Sequence, residues 1–230
     1  MKKHLCILIC FKNYEHIIST FNGLKNDFTD FIIIENFSDN TKLIKEFFTN
    51  QDILKYILFE ENIANNAMNI FLNDFFNVLT EYEYITISDC DLLIENPQSV
   101  FDEIFKILDI PQIGICCVDL DMKNLPEIPE AKNWIPSAKM ITENYIEADT
   151  GVHLMTLKKE NLNLIKNVNF LDSNLVQKVK MNNKKWVKTK INKAIHLTWD
   201  LYVPGNPYYE FKKNKNIWNS NNTCKYSIVK

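Results

Sequence analysis

Tyr84-Ile85-Thr86-Ile87-Ser88-Asp89-Cys90-Asp91 is a short β-branched run that stops at two carboxylates with one residue between them. It is the fourth of five such runs, at 5–11, 31–34, 56–59, 84–88 and 113–118. All are short, rich in β-branched or aromatic residues, and apolar on consecutive positions, as strands buried on both faces are. Helical patterns lie between them. Ala64, Ala67, Met68, Phe71, Leu72, Phe75, Phe76 and Leu79 recur at spacings of three and four. They form one apolar stripe, read here as core packing. A weaker helix follows Asn13, and another spans 97–108 with Pro97 in its first turn. Strands alternating with helices predict βαβ units: an α/β fold with a Rossmann-type, mostly parallel central sheet and helices on both faces.

The pattern changes after about residue 119. Residues 120–136 hold three prolines and no clear period, and predict a long loop. Residues 151–157 and 194–199 predict two further strands, and 172–181 a helix. From residue 212 the chain is rich in lysine and asparagine, with Trp218 and Tyr226 interspersed, and reads as a solvated end. No repeat or linker interrupts the chain. One domain over 1–230 is expected, with a regular half at 1–118 and a second half at 119–230 that ends in a basic tail.

Composition narrows the function classes. A chain of 230 residues can bury a sizeable core. Its 46% apolar and 24% charged residues exclude wholesale disorder. A net charge of −3 and a pI near 5.9 give nucleic acid no electrostatic footing. No apolar run approaches a membrane span. The start, MKKHLCILICF, reads as a buried strand rather than a signal peptide, because no small-residue cleavage site follows. All 26 basic residues are lysine, so no arginine fork can clamp a phosphate. Gly23, Gly114, Gly151 and Gly205 are the only glycines, too few and too scattered for a phosphate-cradling loop. Of six cysteines none form a C-x-x-C pair, and most lie in apolar runs. They read as reduced thiols packed as small hydrophobes, which suits the cytoplasm.

Ligands of open α/β sheets bind at the carboxyl ends of the strands. Asp89 and Asp91 leave such an end and can aim oxygens at one point. Close carboxylates repel unless a cation or proton sits between them, and a hard divalent ion is the natural occupant. Solvated turn residues are the other reading of this pair. Two more strand ends carry polar groups: Glu35-Asn36-Phe37-Ser38-Asp39, and Glu60-Glu61-Asn62-Ile63-Ala64-Asn65-Asn66.

Together these motifs resemble the GT-A-fold glycosyltransferases that use nucleotide sugars, closest to the family 2 type. The resemblance rests on the polar turn Cys10–His16, the acid-Asn-x-Ser segment at Glu35, Asn62-Ile63-Ala64, and the D-x-D about 25 residues on. It covers roughly residues 5–105. Glu35 stands where aspartate is commoner and Ala64 where glycine is. The second half lacks the family's familiar acid-acid and Q/R-x-x-R/W motifs. By position the resemblance implies that Phe11, Lys12 and Glu35 line the base and ribose pocket and that Asn62 lies near the nucleotide. Asp89 would touch ribose or metal, and Asp91 would ligate the metal. Turn capping is the alternative for Glu35 and Asn62. The implied cofactor is a divalent cation, Mn2+ or Mg2+. The implied partners are a nucleoside-diphosphate sugar, a UDP-sugar favoured, and a glycan or lipid-linked acceptor.

In the second half an acid just before a glycine-led strand faces the acceptor in many of these enzymes. Asp149 is the first choice for the base that takes the acceptor's proton, with Glu147 second; an ordinary strand-start turn at Gly151 stays open. A late histidine completes the metal shell in several members, and His196 fits that place. His153, His4 and His16 read as core histidines first. The rivals are an acid-dyad, magnesium-dependent phosphotransferase and a non-catalytic nucleotide- or sugar-binding relative. The lysine-bearing tail is expected to make, at most, weak salt-sensitive contact with the inner membrane face.

Overall fold

A computed structural model describes residues 3–38, 40–129, 131, 140–148, 151, 153–213 and 224–230. The first half runs β1 (His4–Cys10), α1 (Tyr14–Leu24), β2 (Thr29–Glu35), α2 (Thr41–Thr49), β3 (Lys55–Phe59), α3 (Asn66–Leu79), β4 (Tyr84–Asp89), β5 (Leu92–Leu93), α4 (Pro97–Leu108) and β6 (Ile113–Leu120). The second half adds β7 (Met140–Ile141), β8 (Ile146–Glu147), β9 (Met155–Lys158), α5 (Asp172–Met181), β10 (Lys185–His196), α6 (Pro207–Lys213) and β11 (Tyr226–Ile228).

The strands follow the order β11-β3-β2-β1-β4-β9-β6-β10-β8-β7, with β5 pairing off this path to β10. β3, β2, β1 and β4 are parallel neighbours. β9 is antiparallel to both β4 and β6, and β10 is parallel to β6. All the long strands but β9 therefore run one way, and their carboxyl ends share one edge.

Consecutive residues of each central strand serve opposite faces. Cys6, Leu8, Phe31 and Ile33 pack beneath α1, α2 and α4, with Phe21, Phe48 and Phe101. Leu5, Ile7, Ile32 and Ile34 pack beneath α3 and α5, with Phe71, Leu72 and Leu175. The α3 stripe is core, as its spacing predicts. All six cysteines are buried free thiols. No helix among the described residues is long and apolar enough to cross a membrane.

Three second-half expectations change. The strand expected at 151–157 is only Met155–Lys158, because Gly151 (φ +127°) and Leu154 (φ +48°) hold the approach in turn geometry. The strand expected at 194–199 is the end of the twelve-residue β10; a 3-10 turn, Leu197–Leu201, follows it. β10 bulges at 189–192, where Glu103 accepts hydrogen bonds from the N–H groups of Lys190, Ile191 and Asn192. The chain's last residues are not a solvated end: β11 pairs antiparallel with β3, and Tyr56 exchanges backbone hydrogen bonds with Val229 and Lys230. In the expected 120–136 loop, Met122–Asn124 forms a short 3-10 turn, while 130 and 132–136 lie outside the described residues.

Candidate active site

β4 ends at Asp89, and the chain turns through Cys90 and Asp91 into β5. Three anchors hold the turn. Cys90 is buried and its thiol donates to the Ile9 carbonyl on β1. Thr20 on α1 bonds both the N–H and the carbonyl of Leu92 through its hydroxyl, each at 2.9 Å. Leu197 N–H donates to the Asp91 carbonyl at 2.7 Å, where β5 meets the end of β10. That last pairing sets His196 beside Asp91.

Asp91 Oδ2 lies 2.7 Å from Thr198 Oγ1 and 3.5 Å from His196 Nε2. Thr198 Oγ1 is also 3.0 Å from His196 Nδ1. A carboxylate only accepts, so Thr198 spends its single proton on Asp91. It must then accept from His196, which places that ring's proton on Nδ1. His196 Nε2 is thereby left facing the Asp91 carboxylate. Trp199 stacks on the ring at 5.0 Å and 13°, holding its plane. With the ring neutral and its proton on Nδ1, Nε2 and the carboxylate both present lone pairs across 3.5 Å, and a cation can bridge them.

His153 reaches the same point from the turn before β9. Its ring meets that of His196 edge-on at 5.0 Å. Ligand atoms of Asp91, His153 and His196 all lie within 4.8 Å of one another. Burial, reinforced by His196, lowers the His153 pKa, so its imidazole is neutral at neutral pH. A carboxylate and two imidazoles suit a divalent metal. The buried His153 Nδ1 has no hydrogen-bond partner, which fits a ligand position.

Beside this cluster a polar cleft is lined by Phe11, Asn13, His16, Asn36, Asn62, Asn65, Asp89, Asp91, Thr198 and Tyr208. Asn36 shapes its wall, accepting from Ile63 N–H at 2.9 Å and donating to the Ala64 carbonyl at 3.1 Å. Asn62 caps the same turn through Ala64 N–H at 3.0 Å. Ala64 sits at φ +49°, in the left-handed region that glycine enters at less cost. Burial first, and then the neighbouring acids, raise Tyr202 to about 12; burial, then Tyr202 and Asp91, raise Tyr208. Both phenols therefore keep their protons beside Asp89 and Asp91.

The expected residues thus fall into groups. Phe11, Asn62, Asp89 and Asp91 line one cleft, and His196 stands at Asp91. Lys12, at φ +59°, follows Phe11 on the same turn. Glu35, expected at the base and ribose pocket, is fully buried. Its carboxylate accepts from Ser38 N–H at 2.6 Å and Tyr56 O–H at 2.9 Å, while Thr41 Oγ1, 3.3 Å away, lies closer to the Ser38 carbonyl at 2.7 Å. It holds the turn after β2. Glu147 lies on β8, ion-paired with Lys185 at 3.0 Å, and is absent from the cleft lining. Asp149 lies outside the described residues, as does Asp39. Sequence reading passed over Thr198 and Tyr208. Thr198 carried a signal, a hydroxyl two residues beyond the candidate histidine. For Tyr208 the signal was Pro207, a first-turn proline opening α6.

No protein-family model matches the chain. It is 37% identical over 223 residues to the uncharacterized protein L142 of Acanthamoeba polyphaga mimivirus, covering 88% of this chain and 45% of that protein. The uncharacterized protein L138 of the same virus is 33% identical, over 88% of this chain and 25% of its own length. The chain spans less than half the length of these curated relatives. Among solved structures, the mannosyltransferase PcManGT from Pyrobaculum calidifontis, in complex with GDP-Man and Mn2+, superposes with a TM-score of 0.60 at 11% identity, over 92% of this chain and 60% of that one. S. aureus TarS 1-349 in complex with UDP-GlcNAc also gives 0.60, at 18% identity, over 90% and 64%. The chain has the GT-A fold of nucleotide-diphospho-sugar transferases.

Proposed function

We propose that this chain is a glycosyltransferase that moves a sugar from a nucleoside-diphosphate sugar to a hydroxyl of a glycan or lipid-linked acceptor, using a divalent cation, manganese or magnesium. The observation that carries this reading is the meeting of Asp91 and His196 at the mouth of a polar cleft, at the carboxyl end of β4. The complexes of PcManGT with GDP-Man and Mn2+ and of TarS with UDP-GlcNAc support it through the shared fold.

The chain's own residues divide the work. Phe11 offers an aromatic edge to the base. Asn62 and Asp89 offer an amide and a carboxylate to the ribose and its neighbours. Asp91 and His196 hold the cation, with Thr198 fixing the tautomer of His196. When bound, the cation neutralises the charge that builds on the departing diphosphate, a task no arginine in this chain can share. Tyr208 and Tyr202 stay protonated and can donate to the same oxygens.

Transfer is read as inverting. The acceptor oxygen attacks the anomeric carbon, the bond from that carbon to the diphosphate breaks, and the acceptor's proton passes to a carboxylate. Asp149 is the proposed base and Glu147 the second choice. The acid-dyad rival is disfavoured because the acid pair follows the fourth strand of a GT-A fold. Incubation with UDP-, GDP-, CMP- and dTDP-sugars, followed by nucleotide release, tests the reading. Release from one donor class that stops with chelator is expected; silence across all four, with manganese present, counts against it.

A further inference from the structure

We infer that His153 is a third protein ligand of the cation, so that one carboxylate and two imidazoles hold it, and that this donor set selects manganese, cobalt or zinc over magnesium and calcium. The inference rests on the proposed function only for what the bound cation does in the reaction.

Position comes first. The His153 backbone is pinned from both sides. Its carbonyl accepts from Val118 N–H on β6 at 3.0 Å. Leu154 N–H donates to Ser88 Oγ, on β4, at 3.0 Å. A residue held between two core strands presents its ring at a fixed place, as a ligand must. The ring is turned edge-on to His196, and the ligand atoms of Asp91, His153 and His196 lie within 4.8 Å of one another. Two ligands on one cation at about 2.1 Å each are at most about 4.2 Å apart. Small rotations of the side chains close that gap.

Unmet chemistry comes second. His153 Nδ1 is buried without a hydrogen-bond partner. A buried polar nitrogen left so is destabilising unless something binds it. A core histidine of this same protein shows the contrast: His4 places Thr29 and Thr86 hydroxyls at 2.8 and 2.7 Å from its two nitrogens. Lys188, the nearby ammonium that would oppose a cation, lies 3.9 Å from the Asp119 carboxylate.

Selectivity follows from the donors. Magnesium and calcium take oxygen ligands, and magnesium gives up its waters reluctantly. Imidazole nitrogen suits the later divalent metals, whose affinities rise from manganese through cobalt. With two nitrogens among three protein ligands, magnesium loses most of what would hold it here.

The test is spectroscopic and needs no sugar nucleotide. Manganese-loaded wild-type protein is examined by electron spin-echo envelope modulation, which counts coordinated imidazole nitrogens. Two imidazoles are expected in the wild type and one in His153→Ala and in His153→Gln. Manganese affinity should fall by about 10–100-fold or more in these variants, since even an outer partner's loss costs that much. A hundred-fold excess of magnesium should leave the wild-type signal in place. One imidazole in the wild type, or displacement by magnesium, overturns the inference without any variant having to fold. Two imidazoles on the ion in a protein that ignores every nucleoside diphosphate would uphold the inference and remove the transferase reading.

Discussion

β2 and β4 both deliver an acid to the carboxyl edge of the sheet, and the two acids meet opposite surroundings. Glu35, at the end of β2, is wholly buried and held by donors from its own chain: a backbone N–H and a tyrosine hydroxyl, with the Thr41 hydroxyl beside them. Asp91, beyond the end of β4, receives the Thr198 hydroxyl and faces the His196 Nε2 at 3.5 Å, at a polar cleft. A carboxylate that its own chain saturates holds a turn. One that faces imidazoles beside an open cleft can take a cation. What separates the two acids is the company each keeps, which strand-end position alone does not reveal.

Exchanging each acid for its amide should separate the two roles. Asp91→Asn should lower turnover by about 10³-fold or more, as expected when several kcal/mol of cation stabilisation are lost, with unfolding free energy within about 1 kcal/mol of wild type. Steady-state turnover and urea denaturation of the same preparation read both. Full activity in this variant would erase the distinction.

Glu35→Gln should show the reverse. It puts an amide NH2 where only donors point, and should cost about 1–3 kcal/mol of stability, while calorimetric nucleotide affinity stays within a few-fold. Lost nucleotide binding at unchanged stability would return Glu35 to the ribose pocket.

These outcomes bear on how much the sequence could say. The first half was legible because strands buried on both faces and a striped α3 write their period plainly, and the helix expected at about 97–108 is α4. The D-x-D turn was legible because two acids one residue apart directly follow an apolar strand. Glu35 was not, because its partners Ser38, Thr41 and Tyr56 sit three, six and twenty-one residues away, and no local pattern announces the last of them. The second half hid for another reason. β9 is four residues long and enters from a turn, β10 breaks at its bulge, and β11 is an edge strand of three residues in a lysine-rich context. His153 reads as a core histidine until β9 is set antiparallel to β4, which carries it to the acids.

His4 extends the comparison to histidines, as a saturated counterpart of His153. Burial lowers its pKa to about 3, against 6.5 in an open chain. The unfolded chain therefore binds the extra proton first. Stability from this group is complete above pH 6.5 and is lost as pH falls toward 3, by up to about 1.4 kcal/mol per unit. His4→Gln should flatten that acid limb in urea titrations at pH 7 and 5. An unchanged slope would mean that another group sets it.

Ala64 gives the smallest effect. Its left-handed φ of +49° carries a strain that glycine lacks. Ala64→Gly should raise stability by no more than about 1 kcal/mol, with nucleotide affinity unaltered. A clear loss of stability would show that the methyl group's packing outweighs the strain.

The contrast between the two acids is tested most directly by calorimetric titration of the intact chain with UDP and with GDP, each with and without manganese, in the wild type and in Asp91→Asn. The account predicts that one nucleotide binds the wild type only when manganese is present, and that Asp91→Asn abolishes this binding. Equal binding with and without the metal, or binding that survives the loss of the Asp91 carboxylate, would contradict it.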